Sequence, residues 1–153
     1  MPLKIRCVVT GHDSRGRAVV KSDGTSGNVI SRRPLHESCV IWSTDSVPAD
    51  ISRDGDGAAR AVGSSDPNGT VFRVVEYRPG VAPRVHRTES IDYAVVVSGE
   101  IDMELDDGVT VHLRQGDTLV QRGTIHNWVN RGTQPCVIAF VLVAARPVLD
   151  ALG

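Results

Sequence analysis

Two of the five histidines, His86 and His126, are each followed by polar or aromatic residues at even-numbered separations along the sequence. Alternate residues of a strand point to the same side, so a strand through His86 also places Thr88 and Asp92 on that face. The same rule places Trp128 beside His126 on a later strand. If these faces converge, two imidazoles and one carboxylate meet, which is similar to the set that holds Fe(II) with positions left open.

Three interpretations of the two histidines stay open. In the first, His86, Asp92 and His126 bind a divalent metal. In the second, His86 and His126 act without metal as general acid and base, a role that suits imidazole because its pKa lies near neutrality. In the third, both are structural, hydrogen-bonded groups of a protein that only binds a ligand.

Three further residues are candidates for a substrate pocket around the histidines. Trp128 offers an apolar wall, Thr88 a hydrogen-bond donor and Gln121 a polar group at the pocket mouth. Such a pocket, apolar with few polar groups, suits a modest organic substrate such as a carboxylic acid, a phenol or a polyketide-like compound.

The other histidines carry weaker signals. His12 and His36 lie in polar, turn-like segments, where a surface position is expected. His112 lies between Val111 and Leu113, so its side chain points away from theirs and towards solvent if those two are in the core.

Regular turn signals predict the elements that position these residues. Short apolar runs end at Gly, Asp, Asn and Pro clusters, and strands at such spacing indicate a sandwich or barrel. The predicted strands cover residues 4–10, 16–21, 38–44, 70–77, 84–88, 92–97, 100–105, 109–113, 118–121, 125–129 and 136–143.

The chain divides into three regions. Residues 1–69 form an N-terminal extension with strands and a long Gly- and Asp-rich loop, which is either a mobile lid or a poorly ordered insertion. Residues 70–146 form the barrel core, and residues 147–153 form a C-terminal tail. A short helix over residues 146–152 is the alternative.

The composition argues against several classes of protein. With 24 Val, 15 Gly and 8 Pro, an all-helical bundle is disfavoured. A formal charge of −1 and scattered arginines argue against nucleic acid as a partner. The longest apolar run, residues 136–145, is too short for a membrane span of about 20 residues. Three cysteines without a Cys-x-x-Cys pair, and no apolar leader, indicate a cytoplasmic protein with reduced thiols.

The segment around His86 resembles the first motif of the cupin superfamily, the small β-barrels related to germin and to sugar epimerases. That motif reads G-x5-H-x-H-x3-E-x6-G. Gly80, His86 and Gly99 match it at the correct spacing, while Thr88 stands at the second His position and Asp92 at the Glu position.

The segment around His126 resembles the second cupin motif, G-x5-P-x-G-x2-H-x3-N. Gly123, His126 and Asn130 match, and Gln121 replaces the Pro. The first Gly spacing is one residue short, with residues 116–117 supplying the turn. The resemblance covers about half of the chain, residues 70–143.

The resemblance implies an all-β fold, the cupin double-stranded β-helix or jelly-roll barrel with an N-terminal strand extension. Typical cupins hold Fe, Mn, Zn or Ni with three His and a Glu, so this chain has a degenerate metal motif, with a divalent metal or none. The resemblance also implies a homodimer whose N-terminal strands cross to the partner.

For function, the resemblance implies a small-molecule enzyme with its site inside the barrel. A metal-dependent version points to a dioxygenase or decarboxylase. A metal-free version points to an isomerase, dehydratase or cyclase that uses His86 and His126 as acid and base. A non-enzymatic cupin that binds a small ligand is the remaining alternative.

Overall fold

The computed structural model describes residues 3–148, and its regular structure is almost entirely β-strand. A short 3₁₀ helix, Asp106–Gly108, lies between two of the strands. The strands are β1 Arg6–His12, β2 Ala18–Thr25, β3 Val29–Arg33, β4 His36–Thr44, β5 Thr70–Tyr77, β6 Ser90–Ser98, β7 Glu100–Glu104, β8 Thr110–Arg114, β9 Thr118–Arg122, β10 Asn127–Val129 and β11 Cys136–Ala144.

The strands form three antiparallel sheets. The large sheet has the order β3-β4-β5-β11-β6-β9, and the small sheet has the order β10-β7-β8. One hydrophobic core joins the two, with Val75 and Phe140 from the large sheet and Ile101, Met103 and Trp128 from the small one. This two-layer arrangement confirms the predicted all-β jelly-roll barrel.

Alternation of buried and exposed side chains decides which residues reach the interior. In β6, Ser90, Asp92 and Ala94 are buried, while Tyr93 and Val95 are exposed. Since successive side chains of a strand point to opposite faces, the buried polar pair Ser90 and Asp92 must face the same interior as the apolar core.

The predicted strand 84–88 is wrong. Its residues form no ladder, and His86 makes a single antiparallel bridge with His126. Pro83 directly before this stretch has no N–H to donate to a ladder, and the stretch has no apolar alternation. Strand β3 was not expected, because its sequence, Val29–Arg33, is largely polar and only Ile30 and Arg33 are partly covered.

The N-terminal region contributes directly to the barrel. Strand β4 pairs with β5 from Thr44 opposite Thr70 to His36 opposite Tyr77, so the large sheet begins before residue 70. Strands β1 and β2 form a separate two-stranded sheet. Leu3 packs outside the main core, in a second cluster with residues of β4 and β5.

The long loop, residues 45–69, is attached to the barrel by hydrogen bonds. Ser43 Oγ donates to the carbonyl of Gly57 at 2.8 Å, and Asn28 donates to the carbonyl of Ala58 at 2.8 Å. Within the loop, Arg60 and Asp66 form an ion pair at 2.8 Å. These contacts hold the loop against the sheet.

Two predictions from the sequence concern the C-terminal tail and the absence of a membrane span. The tail predicted over residues 147–153 lies, from residue 149 onward, outside the described residues. No helix among residues 3–148 combines the length and the apolar character that a membrane span needs.

Gly99, which joins β6 to β7, has a φ of +75°. A Cβ at this position would collide with the carbonyl oxygen of Pro135 and the Cα of Cys136. Gly108 has a similar φ of +74° but open space around it. Both positions therefore impose left-handed strain on any other residue, and only Gly99 adds a steric clash.

We expect Gly99→Ala to lower the free energy of unfolding by roughly 3 kcal/mol or more, because strain and clash add. Gly108→Ala, the matched control, should lose only about 1 kcal/mol. Urea denaturation of both variants measures the difference, and equal losses would contradict the role of the Pro135 contact.

Candidate functional site

A cavity of about 90 Å³ lies in the barrel, and His86 and His126 are among its lining residues. One part of its wall is apolar and aromatic, and the rest is polar and strongly basic. The lining residues are Arg33, His36, Ser38, Ser64, Arg73, Val75, Tyr77, Arg84, His86, Thr88, Asp92, His126, Trp128, Phe140 and Leu142.

The two imidazoles of the bridge lie side by side. Their ring centroids are 4.6 Å apart, and the backbone N–H of each residue donates to the carbonyl of the other. His86 Nδ1 lies 2.9 Å from the carbonyl of Arg84, and His126 Nδ1 lies 2.8 Å from the carbonyl of Thr124. A carbonyl only accepts, so both Nδ1 atoms carry the proton and both Nε2 atoms keep a lone pair.

Burial lowers the pKa of both histidines below the usual value. The neighbouring positive charge of Arg84 lowers the pKa of each further, and His86 does the same to His126. Both rings are therefore neutral at pH 7, which leaves the two Nε2 atoms able to accept a proton or to coordinate a cation.

Asp92 is 5% exposed, and its carboxyl group lies at the end of a chain of hydrogen bonds from two hydroxyl groups. Ser90 Oγ donates to Asp92 Oδ1 at 2.6 Å, and Thr88 Oγ1 lies 2.8 Å from Ser90 Oγ. Because Ser90 has a single hydroxyl proton, Thr88 must donate to it. Burial raises the pKa of Asp92 to about 6, although the Ser90 hydrogen bond and the charge of Arg73 oppose the shift.

The other predicted pocket residues separate into two groups. Thr88 lines the cavity, and Trp128 lines it while it also belongs to the hydrophobic core. Gln121 is not among the lining residues. It pairs with Asp92 in the ladder, is buried, and donates to the sulfur of Met103 at 3.7 Å.

The predicted metal centre of His86, Asp92 and His126 stays a prediction. No group of three or more His, Cys, Asp or Glu among residues 3–148 is placed to hold a metal ion. His86 and His126 offer two nitrogen ligands, and Ser90 donates to one of the two carboxylate oxygens of Asp92. The arrangement of these donors therefore gives no support to a three-ligand site.

His36 is a site residue that the sequence did not indicate, and its expected surface position is wrong. It begins β4, lines the cavity and packs edge-to-face on Tyr77 with ring centroids 5.2 Å apart. Burial, followed by the charges of Arg33, Arg84 and Arg73, lowers the pKa of His36 to about 4.

Three arginines of the cavity, Arg33, Arg73 and Arg84, were also missed. They come from β3, β5 and the segment before His86, so nothing in their spacing along the chain brings them together. Arg33 and Arg73 reach the same cavity because β3, β4 and β5 are neighbours in the large sheet, and the sequence does not reveal that strand order.

The two remaining histidines lie on the surface, as expected. His12 ends β1 and is exposed. His112 extends outward from β8, where Nδ1 lies 2.6 Å from Asp102 and Nε2 lies 3.1 Å from Glu100.

Comparison with known proteins agrees with this geometry. The sequence model of the Cupin domain matches residues 73–143. A cupin-domain-containing oxidoreductase of Aspergillus ruber, fogC, is 36% identical over 92% of this chain and 72% of its own length. This protein is a cupin. Phomopsin biosynthesis cluster protein C' of Diaporthe leptostromiformis is 38% identical, over 92% of the cupin described here and 78% of the relative.

Two solved structures share the fold of this cupin at low sequence identity. A putative ethanolamine utilization protein Q from Salmonella typhimurium aligns over 95% of this chain and 100% of its own, with 11% identity and a TM-score of 0.52. An RmlC-like cupin from Shewanella frigidimarina aligns over 77% and 84%, with 15% identity and a TM-score of 0.50. Both likenesses concern the fold alone.

The raised pKa of Asp92 makes the stability of the cupin depend on pH. Burial disfavours the ionised carboxylate, so the contribution of Asp92 is fully present below its ordinary pKa of 3.8 and is lost as pH rises through about 6. Asp92→Asn accepts the Ser90 hydrogen bond without ionising. We expect it to be more stable than wild type at pH 8, by on the order of 1–3 kcal/mol, and nearly equal at pH 4.

Urea denaturation at pH 4 and pH 8 measures this difference. Asp45→Asn, which removes the same charge at an exposed position, is the control. A gain for Asp92→Asn that is the same at both pH values would contradict the assignment.

Proposed function

We propose that this cupin is a small-molecule enzyme whose site is the barrel cavity and whose chemistry is proton transfer by His126 and His86. Its relatives include proteins named as cupin-domain-containing oxidoreductases and as members of biosynthesis clusters, which supports a role in small-molecule metabolism. The reaction class that suits acid–base chemistry in such a cavity is isomerisation, dehydration or cyclisation.

The observation that carries this proposal is the state of His126. Its ring is buried and neutral, its Nδ1 is bound to the carbonyl of Thr124, and its Nε2 forms no hydrogen bond with the described residues. A general base requires such a lone pair next to the substrate. Trp128, edge-to-face with His126 at 5.9 Å between ring centroids, restricts the rotation of the ring.

His86 and Asp92 supply the complementary roles. Arg84 Nη1 lies 3.4 Å from His86 Nε2, so His86 is the weaker proton acceptor of the pair. Asp92 lines the cavity itself and has a pKa of about 6. In this proposal the protonated form of Asp92 serves as the acid that returns a proton to the substrate.

A metal-dependent oxidoreductase is the second candidate. The relatives that are named oxidoreductases favour it, and so do the two Nε2 lone pairs of His86 and His126. Metal analysis of freshly purified protein separates the candidates. The second candidate requires near-stoichiometric Fe, Mn, Zn or Ni that His86→Ala and His126→Ala both lose.

Solvent deuterium incorporation tests the proton-transfer proposal. The cupin is incubated in D₂O with a panel of carboxylic acids, phenols and β-keto compounds. The deuterium bound to carbon is then measured by mass spectrometry, after O–D groups have been exchanged back in H₂O. We expect wild type to catalyse exchange in at least one member, in the presence of EDTA. His126→Gln should reduce that rate by about 10²–10⁴-fold, the usual contribution of a general base.

His12→Gln is the matched control, because His12 is exposed and lies outside the cavity. The His12→Gln variant should catalyse exchange in the panel compounds at the wild-type rate. Exchange that survives in His126→Gln, or that EDTA abolishes, would contradict metal-free base catalysis. Binding of a panel member without exchange or turnover would indicate a ligand-binding cupin instead.

A further inference from the structure

Three guanidinium groups line the cavity without a carboxylate partner among residues 3–148. Arg33 donates to the carbonyl of Ala82 at 2.6 Å. Arg73 donates to Ser38 Oγ at 3.1 Å and to the carbonyl of Gly63 at 2.6 Å. Arg84 donates to Ser64 Oγ at 3.3 Å. All of these acceptors are neutral, so the contacts hold the side chains in place without forming an ion pair.

The charges accumulate because the cavity contains little that is negative. Asp92 is the one acidic residue among the lining residues, and the Ser90 hydroxyl occupies one of its oxygens. Burial and the charge of Arg84 lower the pKa of both Arg33 and Arg73. Grouping like charges in a partly desolvated space is unfavourable unless an anion completes the group.

Two buried polar atoms of the lining residues also have no partner among the described residues. They are Nε of Arg73 and Nδ1 of His36. Buried donors and acceptors in folded proteins are almost always satisfied, and exceptions concentrate where a ligand or water completes the bonding. These two atoms therefore indicate, independently of charge, that the polar wall of the cavity is built for an occupant.

We propose that the cavity binds its substrate as a small organic carboxylate, held by Arg33, Arg73 and Arg84, with an apolar or aromatic body against Trp128 and Phe140. This rests on the proposed function, since it names the substrate class of the same site. Planar guanidinium groups match the geometry of a carboxylate. Val75, Tyr77 and Leu142 also line the cavity and offer further surface to the remainder of the molecule.

Guanidinium groups bind phosphate as well as carboxylate, but the cavity lacks the backbone features of many phosphate sites. Those sites are built from glycine-rich backbone or from the N-terminus of a helix. The residues described as lining this cavity include no glycine and no helical residue. The volume, about 90 Å³, favours a small ligand.

Binding of benzoate and of its neutral isostere benzamide, measured by titration calorimetry at low salt, tests the proposal. We expect benzoate to bind about 10–100-fold more tightly than benzamide, because charged hydrogen bonds to guanidinium are lost with the amide. Arg84→Gln and Arg33→Gln should each remove most of that preference. Arg33→Lys, which keeps the charge, should retain part of it.

Arg53→Gln removes the same charge from an exposed loop position and is the control. It should leave the preference unchanged, and circular dichroism verifies that each variant folds. Equal affinity for the two probes, an unchanged preference in the cavity variants, tighter binding of phenyl phosphate, or no benzoate binding at about 10 mM would each overturn the proposal. His126→Gln should still bind benzoate, so failure of the proton-transfer proposal is distinguishable from failure of this one.

Discussion

The reciprocal backbone hydrogen bonds between His86 and His126 determine the site. They join the segment before β6, in the large sheet, to the segment before β10, in the small sheet. Directly paired residues of antiparallel strands present their side chains on the same side, so the bridge places both imidazoles against each other. The placement of the two Nε2 atoms, the contact of His126 with Trp128 and this part of the cavity wall all depend on this one pair of bonds.

Burial and the positive charge of the arginines determine the electrostatics of the cavity. Burial and arginine charge keep His36, His86 and His126 neutral. The same positive field opposes the addition of another cation and favours an anion. Burial raises the pKa of Asp92 to about 6, so this carboxyl gains or loses its proton close to neutral pH. The neutral state of the histidines and the positive charge of the pocket therefore have the arginines as a common cause.

The parts of the fold that the sequence predicts are those with local causes. Alternation and glycine turns place β5 at residues 70–77, as expected, and Gly99 matches its motif because no side chain fits beside Pro135. The motifs also bring His86, Thr88, Asp92 and His126 to one cavity.

The parts that the sequence does not predict depend on which strands become neighbours. Arg33 and His36 reach the cavity because β3 and β4 extend the large sheet next to β5, and that order has no local signature. Gln121 illustrates the same limit on a smaller scale. Its ladder position opposite Asp92 is near the site, but its amide is turned to Met103.

The anchored Nδ1 atoms give proton movement in the barrel a fixed direction. Each ring is held by a carbonyl two residues earlier in the chain, so turning a ring over would break that hydrogen bond inside a buried space. A proton that arrives on His126 can settle only at Nε2, facing the cavity. The backbone, through two carbonyl oxygens, thus determines that charge gained by the pair is presented to the bound molecule and not to the surrounding protein.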